Sequence, residues 1–119
     1  MRMEWKNCQG KKYLWVDYRG LKTEADMIQL LEQYTEIVVS TPGKVMALAD
    51  FTDTAVGSGY MNRVKTLGKE VYTAKVQKTA LVGITGLKTI LLKGYLAFTG
   101  DKNTRPFGTE AEALAWLAE

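Results

Sequence analysis

The hydrophobic pattern of the chain is organised around Val45 to Phe51, a run that is apolar at every position except Asp50. A short run of this kind is typical of a strand buried on both faces, in a parallel sheet covered by helices. The run is followed by Thr52 to Gly59, a loop of small and polar residues that leads into a helical pattern. Because ligands and partners of open α/β sheets collect at the carboxyl ends of the strands, this loop is the first candidate site.

Two strand-like stretches and one helix precede this run. The stretches Met3 to Lys6 and Lys12 to Arg19 are separated by the turn-forming stretch Asn7 to Lys11, and the longer of the two is rich in aromatic and β-branched residues. This pattern predicts a β-hairpin. Thr23 can cap a helix in which apolar residues from Met27 to Tyr34 recur at helical spacing.

Two further helices and a second buried strand are predicted after the loop. Apolar residues recur at helical spacing from Tyr60 to Ala74, and Lys78 to Ile84 has the composition of a buried strand. The next helical pattern, Leu87 to Phe98, carries more apolar residues than one buried face needs. Its predicted inner face is Leu87, Ile90, Leu91, Tyr95 and Phe98, with Leu92 and Leu96 outside that face. The surplus indicates a homodimer interface, the wall of a pocket for an apolar ligand, or packing beneath a neighbouring loop.

The chain ends in a short strand and a helix. Pro106 favours an edge position for the stretch Thr104 to Phe107, and Thr109 with Glu112 forms a capping-box pattern before the last helix. The alternation of strands and helices predicts an α/β fold: a single domain spanning residues 1–119, with a mostly parallel central sheet, an N-terminal β-hairpin and about four helices.

Composition and charge narrow the class of protein. The chain has 119 residues, of which 46% are hydrophobic and 24% charged, as in an ordinary globular domain. The net charge of +3 is scattered, so no nucleic-acid partner is expected. No apolar run approaches the roughly 18 residues of a membrane-spanning helix, and the N-terminus lacks a signal-peptide core. We therefore expect no integral membrane segment and a cytoplasmic location.

The sequence contains one cysteine, Cys8, and no histidine. An intramolecular disulfide and metal sites built on histidine or paired cysteines are thereby excluded, as are the Ser-His and Cys-His nucleophile arrangements. We expect neither a metal site nor a cofactor.

The carboxyl half resembles a known family. The strand Ala80 to Ile84, the apolar helix after it, the short Arg105-Pro106-Phe107 strand and the ending Glu112 to Leu117 resemble the SpoIIAA-like branch of the STAS superfamily. The order of elements is similar over nearly the whole chain, so the resemblance implies one STAS-like domain.

This resemblance implies a regulatory domain that is not an enzyme. Anti-sigma factor antagonists of the superfamily bind a partner kinase or anti-sigma factor, and phosphorylation of a serine at the start of the helix after the central strand switches them. The counterpart here is Ser58, although Gly57 stands where the family motif has an acidic residue. The branch is also similar in fold to lipid-carrier domains.

Two functions follow as hypotheses. The first is a non-catalytic interaction or regulatory module, which binds a partner protein through the loop and helix start after the central strand. Its candidate residues are Asp50, Thr52, Asp53, Thr54, Gly57, Ser58 and Gly59.

The second hypothesis is a carrier or binder of a small apolar, lipid-like ligand between the sheet and the helices. The candidate pocket or homodimer surface consists of Met61, Leu67, Leu91, Leu92, Tyr95, Leu96 and Phe98. A carrier is expected to keep an internal cavity, whereas an interaction module is packed solid.

Catalysis is the third hypothesis, and the sequence disfavours it. Asp50 and Asp53 near a strand end loosely resemble a phosphoacceptor site, but such a site needs a further acidic pair, and Asp17 stands alone after the first strand. We interpret Asp53 as a turn residue. The chain is predicted to be a homodimer without enzymatic activity.

Overall fold

The computed structural model describes residues 2–119. Its strands are β1 (Met3–Cys8), β2 (Lys11–Asp17), β3 (Val45–Asp50), β4 (Val76–Val82) and β5 (Thr104–Phe107). Its main helices are α1 (Glu24–Ser40), α2 (Ser58–Leu67), α4 (Leu87–Thr99) and α5 (Glu110–Ala118). A π-helical segment, Gly68–Tyr72, and the single turn α3 (Thr73–Lys75) connect α2 to β4.

The strands form one five-stranded sheet in the order β1-β2-β3-β4-β5. β1 pairs with β2 in an antiparallel hairpin, and each of the remaining pairs is parallel. The apolar run at Val45 is the central strand, since Ala47 of β3 lies between Leu14 of β2 and Thr79 of β4. The α/β fold, the mostly parallel sheet and the N-terminal hairpin are therefore confirmed.

The hairpin turn is tighter than the sequence pattern predicts. β1 continues through Asn7 to Cys8, so only Gln9 and Gly10 form the turn. Both have positive φ angles, 51° and 81°, as in the two-residue turns whose twist matches that of paired strands. The side-chain oxygen of Asn7 accepts a hydrogen bond from the Gly10 amide at 3.0 Å, so Asn7 stabilises the turn from within the strand.

The two faces of the sheet carry separate cores. Alternate residues of β3 point to opposite faces, with Ala47 and Ala49 in one core and Leu48 in the other. The first core contains residues of α1, α2 and α4, and we call this side the three-helix face. The second core is closed by α5 through Ala113, Trp116 and Leu117, and we call this side the α5 face.

The helical pattern predicted from Tyr60 to Ala74 is interrupted. The α-helix ends at Leu67, and the next turn is π-helical. Gly68 lies at this change, and a Cβ atom added there would be 2.7 Å from the Tyr95 hydroxyl and 2.8 Å from the Thr99 methyl group. Glycine therefore allows α4 to approach the end of α2 closely.

The prediction of which face of α4 is buried was wrong in part, since Leu91 and Tyr95 pack inward as predicted but Leu87, Ile90 and Phe98 do not. Leu92 and Leu96 pack against the core of the three-helix face, together with Leu91 and the buried Tyr95. A second set of apolar residues is exposed instead, namely Leu87 (67% exposed), Ile90 (65%) and Phe98 (50%). Because α4 is apolar on most of its circumference, hydrophobic spacing alone does not distinguish its two faces.

The end of β4 also differs from the prediction. The strand ends at Val82, two residues before the predicted end at Ile84, because Gly83 has a φ angle of 81°. Gly83 packs directly against Thr52 in the loop after β3, where a Cβ atom would overlap the backbone. Ile84 thus lies in the β4–α4 loop, beside the end of the central strand.

No helix within residues 2–119 is both long enough and apolar enough to cross a membrane.

Candidate functional site

A cavity of about 110 Å³ lies between the three-helix face of the sheet and the helices that cover it. The sheet contributes small and medium side chains, among them Val16, Ala47, Ala49 and Leu81. Helices α1, α2 and α4 supply the walls, and the lining is predominantly apolar. An engineered cavity of about 150 Å³ lined by apolar side chains binds benzene, so this cavity has the size for a small guest.

Tyrosines dominate the wall of the cavity. Five of the six tyrosines of the chain line it, and they come from the β2 end, α1, α2, the π-helical segment and α4. They are Tyr18, Tyr34, Tyr60, Tyr72 and Tyr95. Tyr18 stacks on Phe51 with ring centroids 4.5 Å apart, and Tyr60 meets both rings edge-on. These aromatic contacts stiffen the part of the wall below the loop after β3.

Hydroxyl groups of the tyrosines bond to one another or to threonine. The Tyr60 hydroxyl donates to the Tyr18 hydroxyl at 3.1 Å, and the hydroxyls of Tyr72 and Thr35 are 2.6 Å apart. Thr35 also donates to the Leu31 carbonyl, so the Tyr72 hydroxyl is the donor in that pair. Burial raises the pKa of Tyr18 and of Tyr60 well above the ordinary value of 10.0, so both stay neutral at physiological pH.

Residues at the carboxyl ends of β3 and β4 line one end of the cavity, and Val56, Ile84 and Lys88 are partly exposed there, so we call this end its mouth. Phe51 and Val56 follow β3, and Ile84, Lys88 and Leu91 follow β4. This is the edge of a parallel sheet at which ligands of α/β domains bind. The loop from Thr52 to Gly59 therefore adjoins the cavity.

Lys88 is the cationic side chain at this mouth. Its ammonium group donates to the carbonyl oxygen of Phe51 at 2.9 Å and to that of Gly83 at 3.4 Å. It thereby joins α4 to the ends of β3 and β4. Lys88 is half-buried, and among residues 2–119 no carboxylate lies within 4.0 Å of its ammonium nitrogen.

The polar candidate residues Asp50, Asp53 and Thr54 each have a hydrogen-bond partner within the chain. Asp50 accepts hydrogen bonds from the amide and hydroxyl of Thr52 at 2.9 and 2.7 Å, and Thr54 donates to the Phe51 carbonyl at 2.8 Å. Asp53 has a φ angle of 58° and pairs with Lys22 at 2.6 Å. Its hydrogen bond to Lys22, with a smaller contribution from Lys88, lowers the pKa of Asp53. The Asx-type contact within the loop is thus made by Asp50 and not by Asp53.

The start of α2 is occupied by a carboxylate from α1. One oxygen of Glu24 accepts hydrogen bonds from the amides of Gly59 and Tyr60, at 2.8 and 3.2 Å. Cβ atoms added at Gly57 and Gly59 would lie within 2.8 Å of this carboxylate, so the glycines make room for it. Ser58 itself is exposed. The favourable position for an anion at this helix start is already filled by the chain's own acidic side chain.

The structure divides the predicted pocket residues into two groups. Met61, Leu91, Leu92 and Tyr95 line the cavity. The others do not line it: Leu67 is buried elsewhere in the core, Leu96 packs at its margin and Phe98 is half-exposed. Lysines 65 and 69 lie over the Phe98 ring, with ammonium groups 5.9 and 4.5 Å from its centroid. Leu92 and Leu96 face inward, so they do not offer an exposed surface for a homodimer interface. The homodimer itself stays a prediction.

Of the five tyrosines in the cavity wall, only Tyr95 was predicted from the sequence, and Lys88 was not predicted. A composition of six tyrosines against three phenylalanines is the signal that could have indicated a cavity wall with hydroxyl groups. Nothing in the local pattern separates Lys88 from the other lysines, because its position depends on the loop ends of β3 and β4.

Neither a metal centre nor an acidic catalytic pair is visible in the part of the chain that the structure describes. No cluster of three or more metal-ligating side chains occurs within residues 2–119. Asp50 and Asp53 have separate partners, Thr52 and Lys22, and neither lines the cavity.

The mixed five-stranded sheet and its helical cover form a small α/β domain of the STAS type. The family model described as SpoIIAA-like matches residues 13–118, so the chain belongs to the SpoIIAA-like family. A solved structure supports the same fold: a protein of the DUF3478 family from Shewanella loihica PV-4, described as having a SpoIIAA-like fold. The two chains are 20% identical with a TM-score of 0.71, over 97% of this chain and 91% of the other. The curated proteins gave no match.

Proposed function

We propose that this protein binds a small apolar molecule in the cavity between the three-helix face and its helices. The observation that carries the proposal is the cavity itself, about 110 Å³ in a core that side chains would otherwise fill. Its mouth at the carboxyl ends of two parallel strands gives a guest a route to the solvent. The fold is that of a STAS-type regulatory or binding module, and proteins of this family are generally not enzymes.

The dimensions of the cavity limit the guest. Ligand pockets commonly measure about 300 to 1,000 Å³, so a guest that enters without movement of the helices is small. A benzene-sized ring or a short aliphatic chain is the appropriate class. The tyrosine hydroxyls that are already paired, such as Tyr60 with Tyr18, leave mainly ring faces and aliphatic carbons for contact.

Native mass spectrometry of the purified protein, followed by organic extraction, tests this function. We expect a stoichiometric apolar molecule that is released on denaturation. The variant Ala49→Leu adds volume to the lining of the cavity and is expected to release the molecule. Ala111→Leu makes the same change at an exposed position of α5 and is the matched control. A protein that is empty as purified, and that takes up no benzene or hexan-1-ol when these are added, would contradict the proposal.

A partner protein at the loop from Thr52 to Gly59 is the second function that we propose. The specific observation in its favour is that Thr52, Asp53 and Ser58 are exposed directly beside the cavity mouth. A partner that covers this loop would respond to the occupancy of the cavity. Phosphorylation of Ser58 would place about two negative charges beside Glu24, so such a switch requires Glu24 to leave the start of α2. A pull-down with the variants Ser58→Asp and Ser58→Ala tests the partner, with Ser40→Ala as the control.

A further inference from the structure

Among residues 2–119, no carboxylate lies within 4.0 Å of the ammonium nitrogen of Lys88 at the cavity mouth. An ammonium group carries three hydrogen-bond donors, and Lys88 uses two of them on the carbonyl oxygens of Phe51 and Gly83. The third donor has no partner within residues 2–119. Partly buried charges in proteins are normally paired, so an unpaired ammonium beside an apolar cavity is an unusual arrangement.

Neighbouring acidic residues do not supply the missing partner. Asp53, which lies on the same side of the mouth, is held by Lys22 at 2.6 Å. Asp50 is bonded to Thr52, and Glu24 is bonded to the amides at the start of α2. Each of the three carboxylates near the loop is therefore engaged elsewhere, and the ammonium group of Lys88 is left for a group from outside the chain.

We propose that the guest is a short amphiphile whose carboxylate pairs with Lys88 while its apolar tail fills the tyrosine-lined cavity. This inference rests on the proposed function and specifies the chemical class of the ligand. One free donor suits a singly charged carboxylate, whereas a doubly charged phosphate requires several donors. The arrangement of one charged group at the rim of an apolar pocket fixes the orientation of the ligand, with the tail inward and the head at the mouth.

Calorimetric titration of the wild-type protein with hexanoate and with hexan-1-ol tests the inference. The two probes share a tail length and differ in the charge of the head group. A charge-assisted hydrogen bond at a partly buried site is expected to make hexanoate bind about 10-fold more tightly than hexan-1-ol at low ionic strength. The preference is expected to fall when salt is added.

Variants of two lysines on α4 assign the preference to one residue. Lys88→Met is expected to bind the two probes equally, while Lys93→Met, at an exposed position of the same helix, keeps the preference. Lys88→Gln keeps a neutral hydrogen-bond donor on a slightly shorter side chain and is used if Lys88→Met does not fold, as judged by circular dichroism. Equal binding of both probes by the wild-type protein would overturn the carboxylate inference and leave the cavity function intact. A preference that survives in Lys88→Gln would also overturn it. Binding of neither probe would overturn the inference together with the proposed function.

Discussion

The two faces of the sheet differ in how they are covered and in how well they are filled. Three helices lie on one face, yet a cavity of about 110 Å³ remains beneath them. A single helix, α5, covers the other face, and there Leu48, Ala80, Ala113 and Leu117 are at most 1% exposed. The number of helices that cover a face of the sheet therefore does not determine how completely the core on that face is packed.

The side chains explain the difference. On the α5 face, small alanines of β4 and α5 meet large residues such as Leu48 and Trp116, and the layers interlock. On the three-helix face, the rings of Tyr18, Tyr60 and Tyr72 are held in place by hydroxyl contacts. A ring fixed at both ends cannot move inward to fill a gap, so the space beneath it persists.

The largest effect is expected from truncating a leucine on the α5 face. Leu48 is fully buried, and Leu48→Ala is expected to lower the free energy of unfolding by about 3 kcal/mol. Leu92→Ala, the same change at the wall of the existing cavity, is expected to cost about 1 kcal/mol, because Leu92 is only partly buried and has fewer atoms around it. Urea denaturation of both variants measures the difference. Equal losses would show that the two faces are packed alike.

Enlarging an alanine is expected to have opposite consequences on the two faces. Ala80→Val inserts two methyl groups into the filled α5 face and is expected to lower the free energy of unfolding by about 1 to 3 kcal/mol. Ala49→Val extends into the cavity and is expected to change stability by less than about 0.5 kcal/mol. Thermal unfolding of the pair provides the measurement. A large loss in Ala49→Val would mean that the cavity wall has no room to accept the added carbon atoms.

Alkaline pH is expected to weaken the three-helix face. Burial raises the pKa of Tyr18, Tyr34, Tyr60, Tyr72 and Tyr95 in the folded protein. The unfolded chain releases these protons near pH 10.0 while the folded chain retains them, so stability is complete below that pH and is lost as the pH rises above it. The free energy of unfolding is therefore expected to begin to fall at about pH 10 and to keep falling as the pH rises further.

Single replacements by phenylalanine locate this pH effect. Tyr60→Phe removes one of the strongly buried groups and is expected to make the fall shallower, at a cost of about 1 kcal/mol near neutral pH for the lost hydroxyl contact. Tyr13→Phe on the α5 face is the control. Burial raises the pKa of Tyr13 as well, but by less than it raises the pKa of Tyr60, so a smaller change is expected. An identical fall in the wild-type protein and Tyr60→Phe would contradict the explanation.

The smallest effect is expected at the rim of the three-helix face. Glu24→Gln keeps an oxygen that can accept from the amides of Gly59 and Tyr60 but removes the charge that favours a helix start. Because this site is exposed, the expected loss is a few tenths of a kcal/mol and at most about 1 kcal/mol. Glu36→Gln, at an exposed position of α1, is expected to be neutral by the same urea measurement. A loss in the Glu36 variant equal to that in the Glu24 variant would remove the helix-start explanation.

Elements that depend on local pattern could be predicted from the sequence. The central strand at Val45 was predicted because it is apolar throughout, and the loop after it was chosen because parallel strands bring their carboxyl ends together. The helix start at Ser58 follows from the same loop composition. The order of the strands and the family both agree with the resemblance in the carboxyl half.

Features that depend on distant contacts could not be predicted. The π-helical turn after Leu67 reflects the approach of Tyr95 to Gly68, and the filled start of α2 depends on Glu24, which is 35 residues away from Gly59. The predicted inner face of α4 was wrong in part because two overlapping faces of this helix are both apolar. Which of them packs inward depends on contacts with distant parts of the chain. The carboxyl-end loop and four lining residues, Met61, Leu91, Leu92 and Tyr95, were thus predicted from the sequence, whereas the size of the cavity and its other tyrosines were not.

Methyl NMR during addition of benzene tests whether the cavity on the three-helix face binds a small apolar molecule, because it observes both faces of the sheet in one experiment. Met61 and Leu91 line the cavity, and Leu48 lies on the α5 face beyond the sheet. If benzene binds in the cavity, the Met61 and Leu91 methyl signals shift until binding is saturated, and the Leu48 signals do not shift. Shifts of equal size on both faces, or none at Met61 and Leu91, would contradict the claim that the three-helix face holds a binding cavity.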